Sequence, residues 1–165
     1  MILQRSDLLG ATYNLASKNW WFGLTSAVGA GFSIYKHGQD LFMIVQLVLS
    51  IILSVTFIIC FGKLVKNPKS NMKMIRNFTD MVSILFSAFF LFYYGFYHGY
   101  RIFSDFHWSE LIFTFIGIGL ASATFQNASG FNVLLQNLTK FRNTESFEVS
   151  EAEWNALSTK YNFKE

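Results

Sequence analysis

The sequence predicts an all-α protein, a transmembrane four-helix bundle with short amphipathic helices at its two ends. Three observations predict it. Charged residues make up 14% of the chain, against about 25% in a soluble domain. The remaining charge is crowded into short segments that separate long uncharged runs. The lysines and arginines fall almost entirely on one side of those runs. The 165 residues have room for one domain. It divides into a transmembrane helical part over 1–138 and a soluble cytoplasmic tail over 139–165.

At the start, residues 6–18 read as a short interfacial helix. Ser6 can cap it, and Leu8, Ala11 and Leu15 share a face. The first span is placed at 18–36. Its apolar part, residues 20–35, reaches only about 24 Å as a helix. It therefore starts early, thins the bilayer or is re-entrant. The fairly polar residues before it make a poor leader for a cleaved signal peptide. The second span, 41–61, is 21 residues without a charge, enough for the roughly 30 Å hydrocarbon core. Asn67 and Pro68 can open the next helix as cap and first residue, leading into a third span at 80–100. The fourth, 110–130, is apolar from Leu111 to Phe125, and its helix continues to Leu138. In the tail, Ser150 and Glu153 form a capping box with Val149 and Trp154 as hydrophobic staple. Trp154, Leu157 and Tyr161 then line one side of a helix of about ten residues, too short to be stable alone in water. That face must dock on the protein, the bilayer or a soluble partner.

Orientation follows from the basic residues. Arg5, Lys18, Lys63, Lys66, Lys69, Lys73, Arg76, Lys140, Arg142, Lys160 and Lys164 share one side, leaving Lys36 and Arg101 on the other. The positive-inside rule puts the first group, with both end segments, on the cytoplasmic side. A bacterial inner membrane is the expected location, with a mitochondrial inner membrane as the alternative.

Four constellations could carry function. Ala27 and Gly31, Gly29 and Ser33, Gly117 and Ala121, and Gly119 and Ala123 are small residues four apart. Such ridges let helix backbones approach closely, within one bundle or between chains. Gln46, Ser50 and Ser54 recur on one helical face, as do Ser83, Ser87, Tyr94 and His98. Facing each other, they form a polar seam, either interhelical hydrogen bonding or a hydrated path. No Asp, Glu, Lys or Arg interrupts the middle of a span, which counts against an ion-coupled transporter but not a passive pore. His37, His98 and His107 share the outer side with Asp40, Asp105 and Glu110, in no spacing that specifies a metal. Finally, eleven of the twenty residues from 89 to 108 are aromatic, the composition of an interfacial belt.

Lys63, Lys66, Lys69, Lys73 and Arg76 read as contacts to anionic lipid headgroups, and the interleaved Met72, Met74 and Ile75 make nucleic acid an unsuitable partner. Asn77, Asn127 and Asn137 begin chance glycosylation sequons on the inner side or within the membrane. Cys60, the single cysteine, excludes an intrachain disulfide. No catalytic motif is present and no cofactor is expected. The sequence thus points to a non-enzymatic subunit of a membrane assembly. Its partners are the lipid bilayer, other membrane helices of the same or another chain, and a soluble protein at the Trp154/Leu157/Tyr161 face. A small homo-oligomeric pore of effector or lysis type, lined by Gln46, Ser50 and Ser54, is the second reading. A redox or metal protein using the outer histidines is the third.

Overall fold

The computed structural model describes residues 2–38, 40–66, 72–140 and 145–161, and the backbone alone at Val65, Lys66, Met72 and Lys140. The Asn67–Pro68 helix start, the Lys66 side chain, Lys69, Lys140's side chain, Arg142 and Lys164 lie outside what is described.

A short strand, β1 (Ile2–Gln4), leads into α1 (Arg5–His37). Then come α2 (Leu41–Lys66) and α3 (Met72–Phe90), the latter continued by a π-helical stretch over Leu91–His98 and by α4 (Gly99–Ser104). The chain returns in α5 (Trp108–Lys140), followed by β2 (Ser146–Glu148) and α6 (Glu151–Tyr161). The described residues are mostly helical, as the composition predicts. Among the described residues, three segments are long and apolar enough to cross a membrane: Leu41–Leu64, Lys73–Ser104 and Trp108–Thr139.

The long helix α1 departs from expectation. A separate interfacial helix over 6–18 does not form, because one unbroken helix of 33 residues runs from Arg5 to His37. Ser6 lies inside it and is not its cap; Gln4 takes that position. The reason is packing. Leu8, Thr12, Ala16, Asn19, Gly23, Ser26 and Ala30 are the buried positions of α1, spaced three and four apart along its whole length. One continuous stripe faces the bundle, so neither polarity nor Gly10 breaks the helix. Gly38, at φ +89°, ends α1 and returns its N–H to the Ile34 carbonyl at 2.9 Å. Asp40 then accepts the Phe42 N–H at 2.9 Å to start α2. So short a turn makes α1 and α2 antiparallel neighbours.

Two buried clusters hold the molecule. The larger joins Leu53, Phe57, Cys60 and Leu64 of α2 with Val82, Phe86 and Phe90 of α3 and Ala121, Ala128 and Phe131 of α5. Phe57 meets Phe131 edge to face at 5.3 Å. The smaller lies where the two ends of the chain meet, and there the tail takes the first of its three expected docking surfaces, the protein itself. There β1 pairs antiparallel with β2, Leu3 opposite Phe147. Leu3, Leu8, Leu134, Leu138, Val149 and Trp154 close over one another. Ser150 caps α6 by accepting the Glu153 N–H at 3.3 Å. Tyr161 donates to the Gly130 carbonyl at 3.3 Å, and burial pushes its phenol above the ordinary value. The Trp154/Leu157/Tyr161 face offered to a soluble partner is therefore covered by the protein's own β1, α1 and α5. It is the same apolar surface, satisfied within the chain.

Candidate functional site: a buried polar track

Polar side chains run through the interior of the bundle, starting at the end where α5 begins. There Glu110, with 7% of its side chain exposed, accepts from Arg101 Nη1 at 3.1 Å through Oε1 and pairs with His98 Nδ1 through Oε2. A carboxylate withdrawn this far from water requires such partners. The π-helical stretch sets His98 in place. Phe86, Phe90, Tyr94 and His98 form one continuous stack, with ring centres 4.5, 5.0 and 5.4 Å apart. π-turns of this kind recur where a helix must present side chains to a site.

Tyr94 carries the track onward by donating to Gln46 Oε1 at 2.7 Å. Gln46 donates to Ser26 Oγ at 3.2 Å, and Ser50 donates to Ser26 Oγ at 2.8 Å. Ser54 donates to the Trp20 carbonyl at 3.0 Å. Here the helices touch: a Cβ on Gly23 would stand 2.2 Å from Ser54 Oγ and 2.6 Å from the Ser50 carbonyl oxygen. Deeper still, Asn127 donates to Asn19 Oδ1 at 3.3 Å. At the opposite end Asn132 bonds Asp80 through its amide nitrogen, and Thr79 donates to Asn132 Oδ1 at 3.4 Å.

The seam expected between α2 and α3 is thus divided. Gln46, Ser50 and Ser54 are buried against α1. They bond Ser26 and Trp20 within the chain. Of the α3 set, Tyr94 alone reaches Gln46. Ser87 donates to the Ala121 carbonyl at 3.0 Å, His98 turns to Glu110, and buried Ser83 has no hydrogen-bond partner among the described residues. Asn19, Gly23 and Ser26, the α1 half of the seam, were missed. Their signal is the three-and-four spacing of small and polar residues along α1.

The small-residue ridges also divide. Gly117 lies against the π-helical stretch, where a Cβ would stand 2.0 Å from Tyr94 Cβ, and Ala121 beside it is buried. Gly29, Gly31 and Gly119 have nothing within 4 Å of where a Cβ would be. Ala27 and Ala123 are half-buried beside them. The histidines do not converge. His37 is exposed, His107 meets Asp105 at 3.4 Å in the open, and His98 is half-buried. Among the described residues no three His, Cys, Asp or Glu side chains gather as metal ligands would. Lys63 and Lys73 are exposed and Arg76 is half-buried, all at the end opposite Glu110.

Glu110→Ala would strand His98 Nδ1 and the Arg101 guanidinium together. The expected loss is about 1–3 kcal/mol, read as a lower melting temperature in detergent, with Glu110→Gln losing less because it keeps an acceptor. Equal losses for the two variants would show that the interaction is not what holds this end.

No family model, no curated protein and no solved structure matches this chain.

Proposed function

We propose that this chain is a four-span integral membrane protein that serves as a non-catalytic helical subunit of a membrane assembly. The observation that carries the proposal is the set of open glycines. Gly29 and Gly31 on α1 and Gly119 on α5 face outward. Large exposed apolar side chains flank them: Val28 and Phe32 on α1, and Ile116 and Ile118 on α5. In lipid, a notch between such side chains is where another helix gains close van der Waals contact. The track supports a scaffolding role, since its polar groups bond one another across helix boundaries.

Parity supports the fourth span. The three apolar segments carry the chain across an odd number of times, so the start of α2 and the end of α5 lie on opposite sides. Yet β1 is hydrogen-bonded to β2, just beyond α5. To bring β1 there, α1 must cross as well. Cytoplasmic β1, β2 and α6 follow from the positive-inside rule.

Two measurements test this. In a Cys60→Ser background, His37→Cys and Asn155→Cys, both at exposed positions, should react with an impermeant thiol reagent from opposite sides of the membrane. Reaction from the same side removes the fourth span. In nanodiscs, the protein should be recovered with a second chain or a second copy in fixed ratio. Gly29→Leu with Gly119→Leu should release it as a folded monomer. A wild-type protein that is already monomeric in lipid overturns the assembly reading.

A further inference from the structure

At the inner end, α3 and α5 enclose a groove of about 420 Å³. Its walls carry one charge of each sign, Arg76 and Asp80, four residues apart on α3 and so roughly 5–6 Å apart along one face. No ion pair joins them among the described residues. Asp80 instead takes the Asn132 amide on Oδ1. Ser83, one turn deeper and 1% exposed, leaves its hydroxyl unpartnered at the same groove. Below the charges the walls turn apolar at Ile84 and Phe125, 52% and 56% exposed.

The level matters as much as the chemistry. Asp80 immediately precedes the uncharged run that begins at Met81. The charged rim therefore stands at the headgroup level and the apolar wall in the hydrocarbon. A plus and a minus side by side, unpaired with each other, complement a ligand that carries the opposite two charges at short separation. We infer that this groove binds a phospholipid whose headgroup is a phosphate ester bearing a primary ammonium, as in phosphatidylethanolamine. Arg76 takes the phosphate, and its long stem lets it reach along the rim. The ammonium donates to Asp80, whose position Asn132 fixes. The Ser83 hydroxyl donates to an ester carbonyl, and an acyl chain lies over Ile84 and Phe125. The groove selects the primary amine because a trimethylated nitrogen has no N–H to give to the carboxylate.

This inference rests on the membrane-spanning reading, which thiol labelling tests independently. The experiment is native mass spectrometry of the full chain from nanodiscs holding equal phosphatidylethanolamine, phosphatidylcholine and phosphatidylglycerol. The wild type should retain phosphatidylethanolamine about tenfold over phosphatidylcholine, the worth of one charge-assisted hydrogen bond. Asp80→Asn should erase that preference while retaining phosphatidylglycerol, and Arg76→Gln should weaken all three. Soluble glycerophosphoethanolamine at millimolar concentration should not compete, since it lacks the acyl chain; full competition would assign the groove to a free phosphoester. Equal retention of the two zwitterionic lipids by wild type overturns the inference. So does a polypeptide, lost on Asp80→Asn, found in place of lipid. Unchanged melting of both variants keeps a folding defect from mimicking the result, and Ser83→Ala, which removes one donor and no charge, should weaken retention without changing the preference.

Discussion

Trp154→Ala is expected to release the tail from the bundle, weakening the docking of α6 by about 3–5 kcal/mol. Trp154 is 6% exposed, and it sits among Leu3, Leu8, Leu134, Leu138 and Val149. A helix of 11 residues has no stability of its own in water to fall back on. Hydrogen exchange would read the effect as lost protection in α6 and β1, with α2, α3 and α5 unchanged. Protection persisting in α6 would mean that Tyr161 and its bond to Gly130 hold the tail without the indole. With the tail outside the lipid, as proposed, burial here carries the full hydrophobic driving force.

Within a bundle embedded in lipid, as proposed, that force is absent, and close packing decides stability. Gly23→Leu should therefore be the most damaging single change between α1 and α2. The nearest neighbours of a new Cβ are Ser54 Oγ at 2.2 Å and the Ser50 carbonyl at 2.6 Å. A carbonyl within a helix cannot step aside, so α1 must move off and the Ser54 bond to Trp20 goes with it. Overpacking of this kind costs about 3 kcal/mol, measurable as a shift in the SDS fraction at half-unfolding. Gly29→Leu, on the open face of the same helix, should shift it little. If the two variants melt together, α1 does not pack on α2 through this seam.

The contrast between these two glycines shows what could be read from the chain alone. Uncharged runs of bilayer length are a direct trace of the solvent around them, and α2, α3 and α5 were legible for that reason. Capping residues act locally, so the start of α6 at Ser150 was legible too. Which small residue faces a neighbour and which faces lipid is a matter of helix rotation. In a helix polar at one end and apolar at the other, hydropathy does not fix rotation. Hence Gly29 and Gly23 could not be told apart, and the Gln46/Ser50/Ser54 face was matched to α3 instead of α1. The strands were illegible for another reason. Three-residue segments carry no periodicity, and their pairing joins residues about 140 positions apart in the chain.

That pairing also orders events during synthesis. β1 precedes β2 by the length of α1 to α5, so the strand must wait until α5 and β2 have left the ribosome. Until then the side chain of Leu3 has no cover. A chain stopped after α5 should therefore stay open at the end where the strands meet, exposing to proteolysis the segment that their pairing conceals. A quality-control protease reading that segment would distinguish chains that carry β2 from chains interrupted before it.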